Sequence, residues 1–514
     1  MNTLIQDPRT RLRTTPEPRA SRRDWCALAV LMLPVLLVAV DNTVLSFAIP
    51  QISASFEPSA PELLWIIDVY PLVLAGLLVS MGSMADRWGR RRLLLIGAAG
   101  FTAVSALAAF APSAGTLIAA RAAMGFFGAM LMPSTLSLIR NIFRNPAQRR
   151  LAVAIWAAAF SGGAALGPIV GGFLLEHFWW GSVFLLAVPV LIPLLILGPM
   201  VITESRDPAP GRIDPVSIGL SFLAMVPLVL AIKSFSAEGW GAGVALEASV
   251  GLLALALFIR RQLRRSNPML DVRLFSNPVF SGAVVANLLS VFSLVGFLFF
   301  VSQHLQLVAG LTPPQAGLVL LPGMIVSVLA GLAVAPLARR IRPVWFVTGG
   351  LILNAAGFAV IVAINPPPVL TLAVAFVILG LGVGAAETMS NDLILSSVPA
   401  HKAGAASAIS ETAYEFGSVL GTAVLGSILA AVYRSHLVLP EAVQRLPLDA
   451  AKARGTLGGA LEVATGLGNS AAQALRTSAM AAFDSGAVVI AIVGLVLMLV
   501  AAGMSMLTLR SSRS

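Results

Sequence analysis

Apolar residues in this chain gather in fourteen runs, each close to the ~20 residues that a helix needs to cross ~30 Å of hydrocarbon. The runs fall near 26–49, 63–83, 93–111, 115–139, 151–175, 180–202, 214–234, 241–260, 279–302, 314–336, 344–364, 368–394, 404–433 and 483–508. Lipid offers no hydrogen bonds, so a spanning segment must satisfy its own backbone, and runs of this length do so as helices. An all-α polytopic membrane protein follows. With 58% apolar and only 11% charged residues, a soluble globular domain is excluded.

The net charge of +11 would suggest nucleic-acid binding in a soluble chain, but its distribution says otherwise. When the fourteen runs are threaded alternately, 27 of the 34 Lys and Arg residues fall on one side, from Arg9–Arg23 through Arg87–Arg92, Arg140–Arg150, Arg260–Arg273 and Arg339–Arg342. That asymmetry matches the positive-inside rule and places both termini in the cytoplasm. No nucleic-acid partner is expected; the bilayer is the partner. The first run follows an arginine-rich tail and has no small-residue cleavage site after it, so it is expected to stay as an anchor. One cysteine, Cys26, excludes an intrachain disulfide. No His/Cys/carboxylate cluster has metal-ligand spacing and no GxxxxGK[ST] loop exists, so neither a metal, another cofactor nor ATP hydrolysis is expected to drive the protein.

Two halves are discernible, because a Gly-plus-Arg turn follows the second span in each: GSMADRWGRRR at 82–92 and a degraded GLAVAPLARRIR at 331–342. Such internal repeats place a substrate site near mid-membrane between them. The expected organisation is a cytoplasmic tail at 1–25, a six-helix half at 26–202, a linker carrying inserted spans 7 and 8 at 203–278, and a second six-helix half at 279–514. Within the last, 434–481 is too broken to span. Its helical periodicity suggests an outer hairpin or lid, with a mobile loop as the alternative.

Five carboxylates lie inside apolar stretches: Asp41, Asp68, Glu387, Glu411 and Glu415. A charge at the bilayer centre costs at least ~2.5–3.5 kcal/mol, so such residues face a cavity and handle ions or protons. At 1.5 Å per residue, Asp41 lies about 13 Å, Asp68 about 8 Å and Arg121 about 9 Å below the outer ends of their spans, which lets them meet at one level. Asp68 stands between Trp65 and Tyr70, and an aromatic-lined acid suits a lipophilic cation, although Trp and Tyr also serve as interfacial anchors. Glu411 and Glu415 share a helix face, and two like charges so close in low dielectric do not both ionise cheaply, which suits a proton carrier. Hydrogen bonding to a neighbouring helix is the plainer role for Glu415. Phe47, Phe160, Phe292 and Met324 are candidates to line a drug cavity.

Several motifs carry a resemblance. Gly82, Asp86, Arg87, Gly89 and Arg90 match the turn between spans two and three of the major facilitator superfamily, where glycines allow a tight turn and the charges form a network that breaks as the halves rock. Gly163, Gly167 and Gly171 recur every four residues, with Pro168 and Gly172 beside them, and SGGAALGPIVGG resembles that superfamily's antiporter motif. VDNTVLSFAIP at 40–50, LWIIDVYPLVLAG, PMLDVRLFSNPVF and SETAYEFGSVLG resemble the fourteen-span drug:proton antiporter family specifically, over essentially the whole chain. The resemblance implies a major facilitator fold of two six-helix halves plus two inserted helices. It implies export of quaternary ammonium compounds, methyl viologen, cationic dyes and fluoroquinolones across a bacterial inner membrane, driven by protons. It also implies a part in proton transfer for Arg121 and cation-exporter acids at Glu411 and Glu415. The residues taken together suggest proton coupling by Asp41, Arg121 and Glu411, cation binding by Asp68, Glu411 and Glu415 with Trp65, Tyr70 and Phe47, and gating by the 82–92 turn. A monomer is expected. The alternative cargo is an endogenous metabolite, lipid or antibiotic carried by the same fold. A membrane enzyme or sensor lacks support, since no catalytic constellation or sizeable soluble domain is evident. The family's divalent-cation exporters carry an aspartate in span 10 where this chain has Ser327 nearby and no acid, so a preference for monovalent cations is expected unless Glu387 supplies the charge.

Overall fold

The computed structural model describes residues 20–206, 214–266, 268–338, 340–364, 366–398 and 403–510. The basic tail at 1–19 and the linker stretch 207–213 lie outside the described residues. Membrane-length helices form at all fourteen expected runs. They are α1 (Arg22–Phe56), α2 (Ala60–Trp88), α3 (Arg90–Ala108), α4 (Ala114–Ile142, interrupted by a turn at 129–130), α5 (Pro146–His177), α6 (Ser182–Val201), α7 (Pro215–Glu238) and α8 (Ala242–Arg264). They continue with α9 (Pro278–Val308), α10 (Pro313–Leu337), α11 (Pro343–Ala363), α12 (Val369–Ser396), α13 (Ala406–His436) and α14 (Asn469–Thr508).

The ends of these helices are written in local chemistry. Ser21 with Asp24 and Ser59 with Glu62 form capping boxes that satisfy the first free N–H groups of α1 and α2. Proline opens α7, α9, α10 and α11, where a missing N–H costs nothing. Between α2 and α3 the chain turns at Gly89, whose φ of 111° a side chain would resist.

Helices α1–α6 and α9–α14 form two bundles that meet along two seams, α2 on α13 and α5 on α10. The α5 seam follows from sequence. Pro168 leaves the Ala164 carbonyl without its usual helical donor, and the Thr43 hydroxyl of α1 donates to that carbonyl at 3.2 Å. The helix bends by about 40° there. Gly163, Gly167 and Gly171 press on Leu36, Thr43 and Val44 of α1, while Gly172 meets Pro314 of α10. The expected single glycine face therefore packs α1, and its neighbour Gly172 packs the opposite half.

At the end away from the 82–92 turn, the halves touch. Gln306 donates to the Phe47 carbonyl at 3.3 Å, and Lys452 sits 2.6 Å from Glu57. The segment 434–481 is neither a separate hairpin nor a loop throughout. It contains the short helices Glu441–Gln444, Pro447–Gly455 and Leu457–Thr465, but the stretch expected as a second hairpin arm is continuous with α14. Nothing in SAAQALRTSAMAAF breaks the helical period before the apolar run begins, so the helix does not stop.

Helices α7 and α8 pack chiefly on each other, and α7 alone reaches the bundle deeply, at α2 and α13. Asp214 caps α7 and receives two hydrogen bonds from Arg261 of α8, at 2.9 and 3.2 Å. Donation by Arg261, followed in weight by the opposing burial and by Ser217, holds this carboxyl well below the usual carboxylate range. A depressed folded-state value means that its stabilisation is complete above the unfolded value of about 3.9 and drains away as pH falls towards the lower folded value. Asp214→Asn is therefore expected to melt below wild type at pH 7 in detergent, with the gap narrowing once pH drops beneath about 4. A gap that persists unchanged at pH 3 would contradict this.

Candidate functional site

A cavity of about 270 Å³ lies between the halves. It is walled by Leu74 and Leu78 of α2, Met132 and Arg140 of α4, Trp156 and Phe160 of α5, Asn287 of α9, Glu387 and Asn391 of α12, and Glu411, Tyr414 and Glu415 of α13. Arg140, Leu395 and Ser407 stand near helix ends on the side of the 82–92 turn, so the cavity runs from mid-bundle to that end, opposite the contacts that close the other.

Its geometry follows from helical periodicity. Glu411 and Glu415 lie one turn apart on α13, and Glu387 and Asn391 are likewise paired on α12, so two helices each present an acid and a polar neighbour. Ser410 ties the wall together, accepting from Asn287 at 3.2 Å and donating to Asn391 at 3.1 Å. Trp156 is fixed by its indole N–H on Thr135, at 3.2 Å. Phe160 stacks near it and meets Tyr414 edge-on, with centroids 5.6 Å apart. An acid-and-aromatic wall attracts a desolvated organic cation through both charge and ring quadrupole.

Glu415 is buried with Asn42 beside it, and among the described residues neither its Oε2 nor Asn42 Nδ2 makes a well-directed hydrogen bond. Asn42 adjoins Asp41, whose Oδ2 lies 2.8 Å from Arg121 Nη1 with both side chains almost wholly buried. Arg121 also donates to the Ile66 carbonyl at 3.3 Å and lies 4.5 Å from the Tyr70 ring centre. Of the three residues expected to meet, Asp41 and Arg121 are brought together with the Tyr70 ring against the guanidinium, while Asp68 pairs with another residue.

Other expected lining residues are elsewhere. Asp68 and Trp65 do not face the cavity. Lys233 of α7 lies 2.9 Å from Asp68 Oδ2 and 3.9 Å from the Trp65 ring centre, so the cation at this aromatic-lined acid belongs to the chain itself. Lys233 lies near the end of the apolar run at 214–234 and was not singled out from the sequence; an unsatisfied acid in an apolar run was the signal that an intramembrane base should be sought. Phe47, Phe292 and Met324 are buried in helix packing, and of the four proposed lining residues Phe160 alone lines the cavity. Ser327 turns its carbonyl onto Gly384. Glu387, which fits no motif, supplies a third cavity carboxylate, and Asp392 is not among the lining residues.

The 82–92 turn forms a charge network, but inside one half. Arg90 donates to Asp86 at 2.7 Å, and its backbone N–H donates to the Ser205 carbonyl at 2.9 Å. Glu204 accepts from the N–H groups of Arg91 and Arg92, seated on the positive end of α3. Gly82 passes Pro133 of α4, Arg87 is exposed, and a side chain at Gly89 would strike Glu204. Glu204 was missed because its partners are backbone groups, which no residue pattern advertises.

The sequence profile described as the Major Facilitator Superfamily matches residues 31–422. The chain belongs to that superfamily. It is therefore a multi-pass membrane transporter and not an enzyme. It is 56% identical over 490 residues to the multidrug efflux pump LfrA of Mycolicibacterium smegmatis, covering 95% of this chain and 97% of that protein. It is 36% identical over 489 residues to the methyl viologen resistance protein SmvA of Salmonella typhimurium, covering 94% and 98%. Over 458 residues it is 31% identical to the multidrug resistance protein Stp of Mycobacterium tuberculosis, covering 85% and 84%. Among solved structures, a bacterial homologue of the human lysosomal transporter Spinster superposes in two inward-facing forms. The TM-scores are 0.64 and 0.66 at 17% and 16% identity, over 96% of this chain and 100% and 99% of the other. At that identity the likeness concerns the fold alone.

Proposed function

We propose that this protein is a proton-coupled antiporter that exports lipophilic organic cations from the cytoplasm across a bacterial inner membrane, working as a monomer with both termini cytoplasmic. The observation that carries the proposal is the cavity in which Glu387, Glu411 and Glu415 stand among Trp156, Phe160 and Tyr414. A cationic cargo offsets the cost of burying three acids in an apolar wall, which a neutral or anionic one does not. Relatives named for multidrug efflux and methyl viologen resistance support the drug-export part of the proposal.

Quaternary ammonium compounds and cationic dyes enter from the side of the 82–92 turn and lodge against Glu411, with aromatic rings on their apolar faces. Glu415 stands between that acid and Asn42, next to the Asp41–Arg121 pair, so protons arriving from outside and cations arriving from inside compete for neighbouring carboxylates. Competition for one set of charges couples the two fluxes. The halves then rock about the cavity, the 82–92 turn and residues 204–205 holding the first half rigid while they do so. Glu387 adds a third carboxylate to the wall that holds Glu411 and Glu415, so the monovalent preference drawn from Ser327 gives way to tolerance of both.

Efflux of ethidium and methyl viologen from loaded vesicles, with and without an imposed pH gradient, tests the proposal. Both cations are expected to leave faster when the gradient is imposed, and each is expected to slow the other. Efflux indifferent to the gradient removes the proton coupling. Failure to move either cation points to an endogenous metabolite, lipid or antibiotic as the cargo.

A further inference from the structure

Arg140 lines the cavity, although nothing in the proposed exchange of protons and cations uses it. Its place follows from helical spacing: Met132, Leu136 and Arg140 recur every four residues and set one face of α4 against the cavity. Positive-inside asymmetry accounts for an arginine at this end of α4, and the last turn of a helix favours a base. Neither accounts for one turned into a chamber of acids.

Other arginines on that side are held by the protein: Arg90 by Asp86, Arg91 by Glu204 and the Ile202 carbonyl, and Arg261 by Asp214. Arg140 is exposed, and among the described residues no ion pair or hydrogen bond occupies its guanidinium. It is the sole base among the described lining residues, against Glu387, Glu411 and Glu415, and its charge reaches Glu411. Arg140 lies in the last turn of α4, whereas Glu387 lies about 2.5 turns inside the end of α12. A cation entering from the side of the 82–92 turn therefore passes Arg140 before it settles among the acids, still within range of that positive charge.

Fixed charges discriminate by valence. The arginine repels in proportion to the charge on the cargo, so the factor by which it weakens binding of a monovalent cation is squared for a divalent one. At ~10 Å in a partly hydrated mouth that factor is about 4, and its square about 16. We propose that Arg140 is a specificity-determining residue, which sets the ratio of monovalent to divalent organic cations bound by repelling the second charge of a divalent cargo at the cavity mouth. Both classes are accepted because three acids share the wall, and the arginine weights acceptance towards the single charge. This rests on the cation export proposed above, and the test separates the two.

A charge series at position 140 supplies that test, in the purified full-length protein in detergent. Binding of singly charged ethidium is followed by its fluorescence, and binding of doubly charged methyl viologen by its displacement of ethidium. Arg140→Lys keeps the charge and is expected to leave both affinities within about 2-fold of wild type. Arg140→Gln is expected to tighten ethidium about 4-fold and methyl viologen about 16-fold. Arg140→Glu changes the charge by two and is expected to apply each factor twice, giving about 16-fold and about 250-fold. A side chain that merely props the mouth open gives no such progression, because packing does not scale with the charge of its replacement. Equal shifts for the two cations, or shifts that do not follow charge along the series, overturn the proposal and leave cation export standing. Wild-type protein that binds neither cation removes the export reading, and the selectivity role with it.

Discussion

Arg121→Met is expected to abolish proton-driven export. The substitution removes the partner 2.8 Å from Asp41 in a site where both side chains are almost wholly buried. Breaking a buried pair in this way costs about 3–5 kcal/mol, because the remaining charge is left without solvent or counter-ion. Translated into an equilibrium between working and non-working arrangements, that is a loss of about 100-fold or more, large enough to be unmistakable in initial rates of efflux under an imposed pH gradient. Surface charges offer a contrast: Arg445 and Glu441 form an exposed pair 3.5 Å apart, and pairs of that type contribute about 0–1 kcal/mol. A companion experiment distinguishes a proton carrier from a static pin. The double variant Asp41→Asn with Arg121→Gln leaves no unpaired charge at this site and is expected to regain thermal stability without regaining transport. Recovery of gradient-driven efflux in that double variant would show that the pair serves architecture alone.

Glu411→Gln is expected to weaken cation binding by about 30-fold or more, since losing one charged partner of a buried contact costs about 2–5 kcal/mol. Fluorescence titration of ethidium in detergent measures this directly, without requiring transport. Phe160→Ala provides the scale. A cation–π contact contributes about 0.5–2 kcal/mol, so its loss should weaken binding less than loss of the acid does. If the aromatic substitution proved the more damaging, the cavity would be selecting shape rather than charge. Unaltered binding in Glu411→Gln would move the cation site elsewhere.

The extent to which these features were visible beforehand depends on how local their causes are. The spans were legible because a run of ~20 apolar residues decides its own conformation in lipid. Asp41 and Arg121 were legible too, since rise per residue converts position in a span into depth, and both residues lie in spans whose outer ends are plain in the sequence. Asp68 could be recognised as a buried charge but not given its partner: Lys233 lies on an inserted helix far along the chain, and only packing of α7 against α2 brings them together. Glu387 shows the same limit from the other direction. Its charge was obvious, yet whether it supplied the missing charge, paired with Asp392 or faced a cytoplasmic vestibule depended on the rotation of α12, which the glycine contacts with α10 and α11 fix. Phe47, Phe292 and Met324 look like Phe160 in sequence, and the two sides of an apolar helix cannot be told apart until its neighbours are known.

Helix α14 has 40 residues, about 60 Å at 1.5 Å per residue, roughly twice the ~30 Å of hydrocarbon it crosses. Much of it must stand clear of the lipid as a rigid mast. A transporter with little mass outside the bilayer is hard to orient in electron micrographs, and such a mast breaks the pseudo-symmetry of the two bundles from within. Particle images can then be aligned on the molecule's own silhouette, without an antibody fragment attached as a landmark.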